Sequence, residues 1–277
     1  MMHSLPKISM DRTGFHHDED YIAEENILNI DLVYGPRHNR SHYRLSSILR
    51  TPGHDCELVA GLLFSLGIIH DHDDVEDASA CSRGRLDDAA FHTMTIALKP
   101  GVPFSPLDFS CAIPRFSGCG MCSSSHLDTQ VHTVVKDDMN VDISLLLSLT
   151  QRMTDVQPIF KKTGGTHAAA LFNQAGSLIA GFEDVGRHNA LDKLIGCMLA
   201  HDRAMLQSGI LLMSSRASFE IVQKAARAQI PLVATFSAAS SLAIQLADQS
   251  CITLVGFLRQ ERCNVYTHPQ RLGLENV

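Results

Sequence analysis

The stretch "GILLMSSRASFEIVQKAARAQIPLVATFSAASSLAIQLADQSCITLVGF", Gly209 to Phe257, decides the fold. Three short apolar runs, "GILLMS", "PLVATF" and "CITLVGF", alternate with two longer amphipathic segments, "SFEIVQKAARAQ" and "SSLAIQLADQ". The short runs read as strands and the longer ones as helices. Strand and helix in strict alternation imply parallel strands joined by right-handed crossovers, with the helices packed on the sheet.

Upstream, "AAALFN" and "SLIAGF" read as two strands around the turn at Gln174-Ala175-Gly176. A helix "HNALDKLIGCMLA" follows, with Ala190, Leu191, Leu194, Ile195, Met198 and Leu199 on one face. Another helix starts near Ile143. Residues 140–277 are therefore expected to form a three-layer α/β domain. Residues 21–110 read as a smaller α+β domain. Its hairpin spans Ile22 to Ile48 around the turn "YGPRHNR". A helix begins near Asp55, buries Leu58, Leu62, Phe64 and Leu66, and ends at Gly67. A strand covers Phe91 to Leu98. Between the two domains, residues 111–139 are expected to be a mobile loop and linker. Residues 1–20 read as a disordered tail, and the "HHDED" run from His16 to Asp20 as solvated rather than metal-binding.

The chain has 277 residues, 45% apolar and 19% charged, an ordinary globular balance. Its net charge of −7 speaks against a broad nucleic-acid or anionic-membrane surface. The N-terminus has no apolar core of a secretory signal, and "LVAGLLFSLGII" is too short to span a bilayer. A cytoplasmic protein is expected, with its eight cysteines reduced and no disulfide framework. Cys197 and Cys251 lie in apolar contexts and read as small core residues.

In an α/β sheet, ligands bind at the loops leaving the carboxyl ends of parallel strands. Those loops carry Glu183, Asp184, Arg187 and His188, then Ser215 and Arg216, then Ser237, then Arg259 and Arg262. Four arginines, several hydroxyls and three helix starts are expected on one rim. Helix N-termini favour anions and arginine binds phosphate bidentately, so the rim suits a phosphate-bearing ligand, in particular a nucleotide. His167, in "TGGTHAAALF", starts a strand beside it and reads equally as structural. No Walker loop or GxGxxG fingerprint is present.

"RFSGCGMCSSS", Arg115 to Ser125, places Cys119 and Cys122 two residues apart in a polar, glycine-rich stretch. Three chemistries suit such a pair. Structural zinc needs four ligands, and a second CxxC or helix-spaced histidines are missing. A thioredoxin-like dithiol wants a strand before and a helix start at its first cysteine. A carrier thiol accepts sulfur as a persulfide and releases it elsewhere, with the second cysteine assisting. A zinc deaminase also combines an α/β sheet with CxxC, but its H-x-E occurs only in the tail and Pro114 is too far from Cys119.

"GCGMC", "TGGTHAAALF", "GFEDVGRHNALDKLIG", "LLMSSRASFEIVQKAA" and "LVGFLRQERCNVYTHPQRL" resemble, in this order, the formate dehydrogenase accessory sulfurtransferase (FdhD) family. The likeness runs from about residue 40 to the end. It implies that sulfur is taken from a cysteine desulfurase and passed to the molybdenum cofactor, in its bis-(molybdopterin guanine dinucleotide) form, for formate dehydrogenase. It implies a persulfide on Cys119 with Cys122 as its partner, and no tightly bound metal of the protein's own. The family's cofactor segment maps onto Phe257, Leu258, Arg259, Gln260, Glu261 and Arg262. With them, His167, Arg187, His188, Ser215, Arg216 and Ser237 form the expected cofactor-binding set. The resemblance further implies a C-terminal domain like the cytidine deaminase fold without its zinc, and a homodimer, for which the Leu58–Ile69 segment is the candidate contact. Ser123 stands where the family usually has glycine. A non-catalytic cofactor chaperone and a dithiol reductase are the rival functions.

Overall fold

The computed structural model describes residues 1–81, 91–109, 135 and 139–274. The first two strands, β1 (Met2–Asp11) and β2 (Gly14–Ala23), form an antiparallel hairpin, so the expected disordered tail is corrected. Asp11 turns the chain by accepting hydrogen bonds from the backbone N–H and hydroxyl of Thr13. The hairpin leaves Ile8, Met10 and Phe15 between 65% and 74% exposed. Met10 lies directly opposite Phe15 and Ile8 opposite His17, which puts these apolar side chains on one face.

A four-stranded sheet follows, built from β3 (Asn26–Tyr34), β4 (Ser41–Arg50), β5 (Val75–Cys81) and β6 (Phe91–Leu98), in the order β4-β3-β6-β5. Between β4 and β5 runs α1 (Asp55–Leu66). Gly67 ends it in the left-handed conformation, φ 79°, where its N–H bonds the carbonyls of Leu63 and Phe64. Asp55, at the helix start, takes a bidentate ion pair from the buried Arg50 at 2.8 and 2.9 Å.

The larger sheet begins after α2 (Ile143–Arg152), a 3-10 turn at Met153–Val156 and α3 (Pro158–Thr163). It contains β7 (His167–Phe172), β8 (Leu178–Asp184), β9 (Ile210–Met213), β10 (Leu232–Thr235), β11 (Thr253–Gly256) and β12 (Asn264–Thr267), in the order β12-β11-β10-β9-β7-β8. Helices α4 (Arg187–His201), the short α5 (Ala204–Gln207), α6 (Phe219–Arg227) and α7 (Ser241–Gln249) connect its strands. As expected from the alternation, β9, β10 and β11 are parallel; β7 and β12 run the other way.

Alternate residues of each strand enter different cores, because successive side chains point to opposite sheet faces. Ala168, Ala170, Phe172, Ile210, Leu212 and Val255 pack with α2, while Ala169, Leu171, Leu211, Met213 and Leu254 pack with α4, α6 and α7. That second core continues without a break through α1 into Leu28, Ile30, Leu32, Met94, Ile96 and Leu98 of the four-stranded sheet.

The junction is the contact of α1 with α4, where two glycines let the backbones touch. A Cβ on Gly61 would lie 1.9 Å from the carbonyl oxygen of Asp192, and one on Gly196 would lie 1.9 Å from that of Glu57. The Leu58–Ile69 segment, the candidate for a dimer contact, is thus spent inside the chain, with Leu58, Val59, Leu62, Leu63, Phe64, Ile68 and Ile69 all buried. Cys197 and Cys251 are half-buried rather than core residues.

Candidate functional site: the carboxyl edge of the six-stranded sheet

β8 pairs antiparallel with β7, and β7 with β9, so β8 points the same way as β9, β10 and β11. The ends of these four strands, and the starts of β7 and β12, all lie on one edge of the sheet. His167, Arg187, Ser215, Arg216, Ser237 and the segment Phe257 to Arg262 are carried along that edge. From β8 to β11 is four strand spacings, about 19 Å.

The residues "EDVGRHNALDK" build one end of this edge, and most of them point inward. Asp184 is fully buried. It accepts from the N–H of Gly186 at 2.9 Å, the amide of Asn189 at 2.9 Å and the N–H of Thr51 at 3.1 Å, and pairs with Lys193 at 2.7 Å. Lys193 also donates to the Thr51 carbonyl at 2.9 Å. One α4 turn on, Asp192 accepts from Lys224 at 2.6 and 2.7 Å and from the Ser65 hydroxyl at 2.8 Å. Burial still pushes its carboxyl above the usual range, against the pull of Lys224. Glu183 faces the other way and accepts from the N–H groups of Ile159 and Phe160, both at 2.8 Å, holding the start of α3. These carboxylates and lysines therefore position the edge, and are not free for a ligand.

What they position is a cavity of about 340 Å³ lined by Glu25, Leu49, His167, Val185, Gly186, Arg187 and His188. Gly186 starts α4, and the helix has no side-chain cap. A Cβ at Gly186 would sit 2.8 Å from the Asn189 amide, so the site has no room for a capping side chain. The Nε of Arg187 is buried without a hydrogen bond among the described residues. Burial, and then the Arg187 charge, hold the His167 imidazole below its ordinary pKa. His188, 4% exposed, has Nε2 4.0 Å from a Glu220 carboxylate oxygen. An uncapped helix start beside an arginine and two histidines is chemically an anion-accepting corner.

A second cavity, about 490 Å³, opens near the other end of the edge between α2 and the β11–β12 loop. Thr150, Phe236, Leu258, Arg259, Gln260, Glu261 and Arg262 line it. Arg259 Nη1 donates to the carbonyls of Phe236 at 2.6 Å and Leu258 at 2.7 Å, which fixes its guanidinium against the wall.

The expected single convergence of four arginines is thus corrected. Arg187 gathers with His167 and His188, while Arg259 and Arg262 gather separately, because β7, β9 and β10 lie between the two loops. Arg216 lines neither cavity. Ser215 is buried and its hydroxyl donates to the Arg216 carbonyl at 3.1 Å. The Ser237 carbonyl accepts from the Phe257 N–H at 3.1 Å and from the Thr235 hydroxyl at 2.9 Å. Phe257 is itself 42% exposed in a left-handed backbone conformation, φ 51°. Of the three expected helix starts, that of α7 is satisfied by Ser240, whose side chain accepts from the Ala243 N–H at 3.3 Å.

Sequence reasoning missed Glu25, in the link between β2 and β3, and Leu49 of β4, which reach the first cavity from a distant part of the chain and carry no local signal. It also missed Thr150 and Phe236; the large apolar residue ending "LVATF" was the one hint. Cys119 and Cys122 lie outside the described residues. Among described cysteines, burial pushes the thiols of Cys56, Cys197 and Cys263 above the ordinary value, which makes them poor nucleophiles. No helix among the described residues is long and apolar enough to cross a membrane, and no three-residue metal cluster occurs among them.

Comparison with known proteins agrees across most of the chain. The profile of the FdhD/NarQ family matches residues 39–273. The sulfur carrier protein FdhD of Mycobacterium tuberculosis is 42% identical over 232 residues, covering 81% of this chain and 84% of that protein. The protein of the same name from Sulfolobus acidocaldarius is 38% identical over 269 residues, covering 97% and 98%. A Desulfotalea psychrophila crystal structure, described as that of a formate dehydrogenase accessory protein, shares the fold with a TM-score of 0.74 at 23% identity, covering 98% of this chain and 99% of that one. With a profile match over most of its length and relatives well above 30% identity, the chain belongs to the FdhD/NarQ family.

Proposed function

We propose that this protein is a cytoplasmic sulfur carrier that serves formate dehydrogenase. It takes sulfur from a cysteine desulfurase as a persulfide and delivers it to the molybdenum cofactor, bound as substrate in the bis-(molybdopterin guanine dinucleotide) form. The observation that carries the reading is family membership with relatives named as sulfur carriers, in a chain that keeps the CxxC at Cys119 and Cys122. The carboxyl edge supports it, since its two cavities offer arginines, histidines and an uncapped helix start to a phosphate-bearing ligand.

The chemistry balances with two thiols. The Cys119 thiolate attacks the outer sulfur of the donor's persulfide. A new S–S bond forms on Cys119, the donor's S–S bond breaks, and the donor leaves as thiolate. For release, the Cys122 thiolate attacks the Cys119 sulfur. The outer sulfur leaves as hydrosulfide toward the metal, and a Cys119–Cys122 disulfide remains for a thiol reductant to reopen.

Intact-protein and peptide mass spectrometry after incubation with a cysteine desulfurase and cysteine tests this. The Cys119 peptide is expected to gain the mass of one sulfur atom, and Cys119→Ala to gain none. No gain on any cysteine would overturn the carrier role and leave a cofactor chaperone acting through the arginines; the same gain in Cys119→Ala would overturn the assignment of the persulfide to Cys119.

A further inference from the structure

The N-terminal hairpin carries apolar side chains that no described residue covers. Ser4, Pro6, Ile8 and Met10 of β1 share one face with Phe15, His17, Glu19 and Tyr21 of β2, since directly opposite and alternate residues point the same way. On that face Ile8, Met10 and Phe15 are between 65% and 74% exposed, and Tyr21 is 53% exposed. The polar groups of the other face are paired within the hairpin. There Lys7 pairs with Asp20 at 3.2 Å, His16 lies 3.4 Å from Asp11, and Ser9 donates to Asp18 at 3.2 Å, with Leu5 and Ile22 set among them. A two-stranded ribbon is marginal in water by itself and gains stability by packing one face. The hairpin also precedes the residues matched by the family profile.

The pattern on the apolar face is complementary to itself. Asp18 lies opposite Lys7, and a two-fold axis at their level stacks β2 antiparallel on β2 of a second copy. That operation sets Phe15 against the second copy's Tyr21 and His17 against its Glu19, each contact occurring twice. On β1 it sets Ile8 against the second copy's Pro6. Aromatic meets aromatic, and imidazole meets carboxylate. Taking about 200 Å² for a large apolar side chain, the exposed fractions of Ile8, Met10, Phe15 and Tyr21 amount to roughly 500 Å². Two copies would cover roughly 1,000 Å², the size that a specific interface must reach. We propose that this face docks on the same face of a second copy, making a two-fold dimer through four stacked strands.

Sedimentation of the full chain at micromolar concentration tests this, because the side chains involved are exposed and can be replaced without disturbing the core. The wild type is expected to sediment as a dimer, and Ile8→Ser/Phe15→Ser as a monomer with an unchanged circular dichroism spectrum. His17→Glu brings two carboxylates together at each of the paired contacts and is expected to weaken the dimer at least about tenfold. Mixed with Glu19→Lys, it is expected to form a heterodimer in preference to either homodimer, since only the mixture sets an acidic side chain against a basic one at both contacts. A dimer undisturbed by Ile8→Ser/Phe15→Ser would place the contact elsewhere and overturn the proposal. Loss of the dimer in that variant, with no weakening in His17→Glu, would overturn the antiparallel register. A wild type that stays monomeric would overturn the second copy as occupant and leave the face to a different protein.

Discussion

His167 and Arg187 share a cavity, and burial followed by the Arg187 charge makes the imidazole give up its proton more easily. Unfolding frees His167 from burial and from Arg187, so the unfolded chain binds the proton better than the folded one. The stability linked to this group is therefore complete above its ordinary value of 6.5 and is lost as pH falls through and below that value. Chemical denaturation between about pH 7.5 and 5.5 is expected to show a steeper loss in the wild type than in His167→Gln; parallel profiles would contradict it. At this scale the sequence was legible for identity and blind to direction. Asp184, Asn189, Asp192 and Lys193 stand in a polar block that looks like a ligand site, yet all four are buried. Nothing in local spacing reveals this, because α4 is covered by α1, α6 and the sheet together, and those neighbours come from elsewhere in the chain.

Elements with a clear period were read well. β9, α6, β10, α7 and β11 sit where their alternation put them, and α1 ends at the glycine expected to end it. β12 is a four-residue strand without alternating burial, and no pattern announces it. β1 and β2 were hidden by composition, since the polar run "HHDED" interrupts the apolar pattern of strands whose most exposed apolar residues, Ile8, Met10 and Phe15, share one face. The α1–α4 contact likewise leaves no mark beyond two isolated glycines. Gly61→Ala should test it severely, because the new methyl meets backbone on the facing helix, which cannot rotate aside. A loss of about 3 kcal/mol is expected, at the upper end for overpacking. It would appear as a lower urea midpoint at unchanged slope, and an unchanged midpoint would refute the contact.

The whole molecule has one main core, although the sequence suggested two domains with a linker between them. Leu28 of the four-stranded sheet and Leu254 of the six-stranded sheet belong to the same cluster, and hydrogen bonds from the Thr51 N–H to Asp184, from the Asn189 amide to the Leu49 carbonyl and from the Ser65 hydroxyl to Asp192 cross the same junction. Thermal unfolding is accordingly expected to be a single transition by both circular dichroism and calorimetry. Two separable transitions would show that the halves are independent. The fold class was readable because strand–helix alternation is a property of consecutive residues. The shared core was not, because it joins residues more than 200 positions apart.

The backbone contact of Gly61 with Gly196 also sets a mechanical limit. Two halves locked at helix–helix contact have no hinge, so the body cannot close around a donor and then reopen toward an acceptor. Under the proposed carrier role, the sulfur on Cys119 is bound by covalent connection to two described points of that body, Phe109 stacked on Phe104 and Val135, whose N–H bonds the Ser250 carbonyl. Cys119 lies ten positions along the chain from Phe109. Covalent geometry thus keeps the Cys119 Cα within about 36 Å of its anchor. The surfaces that load and unload the sulfur must both present themselves inside that radius.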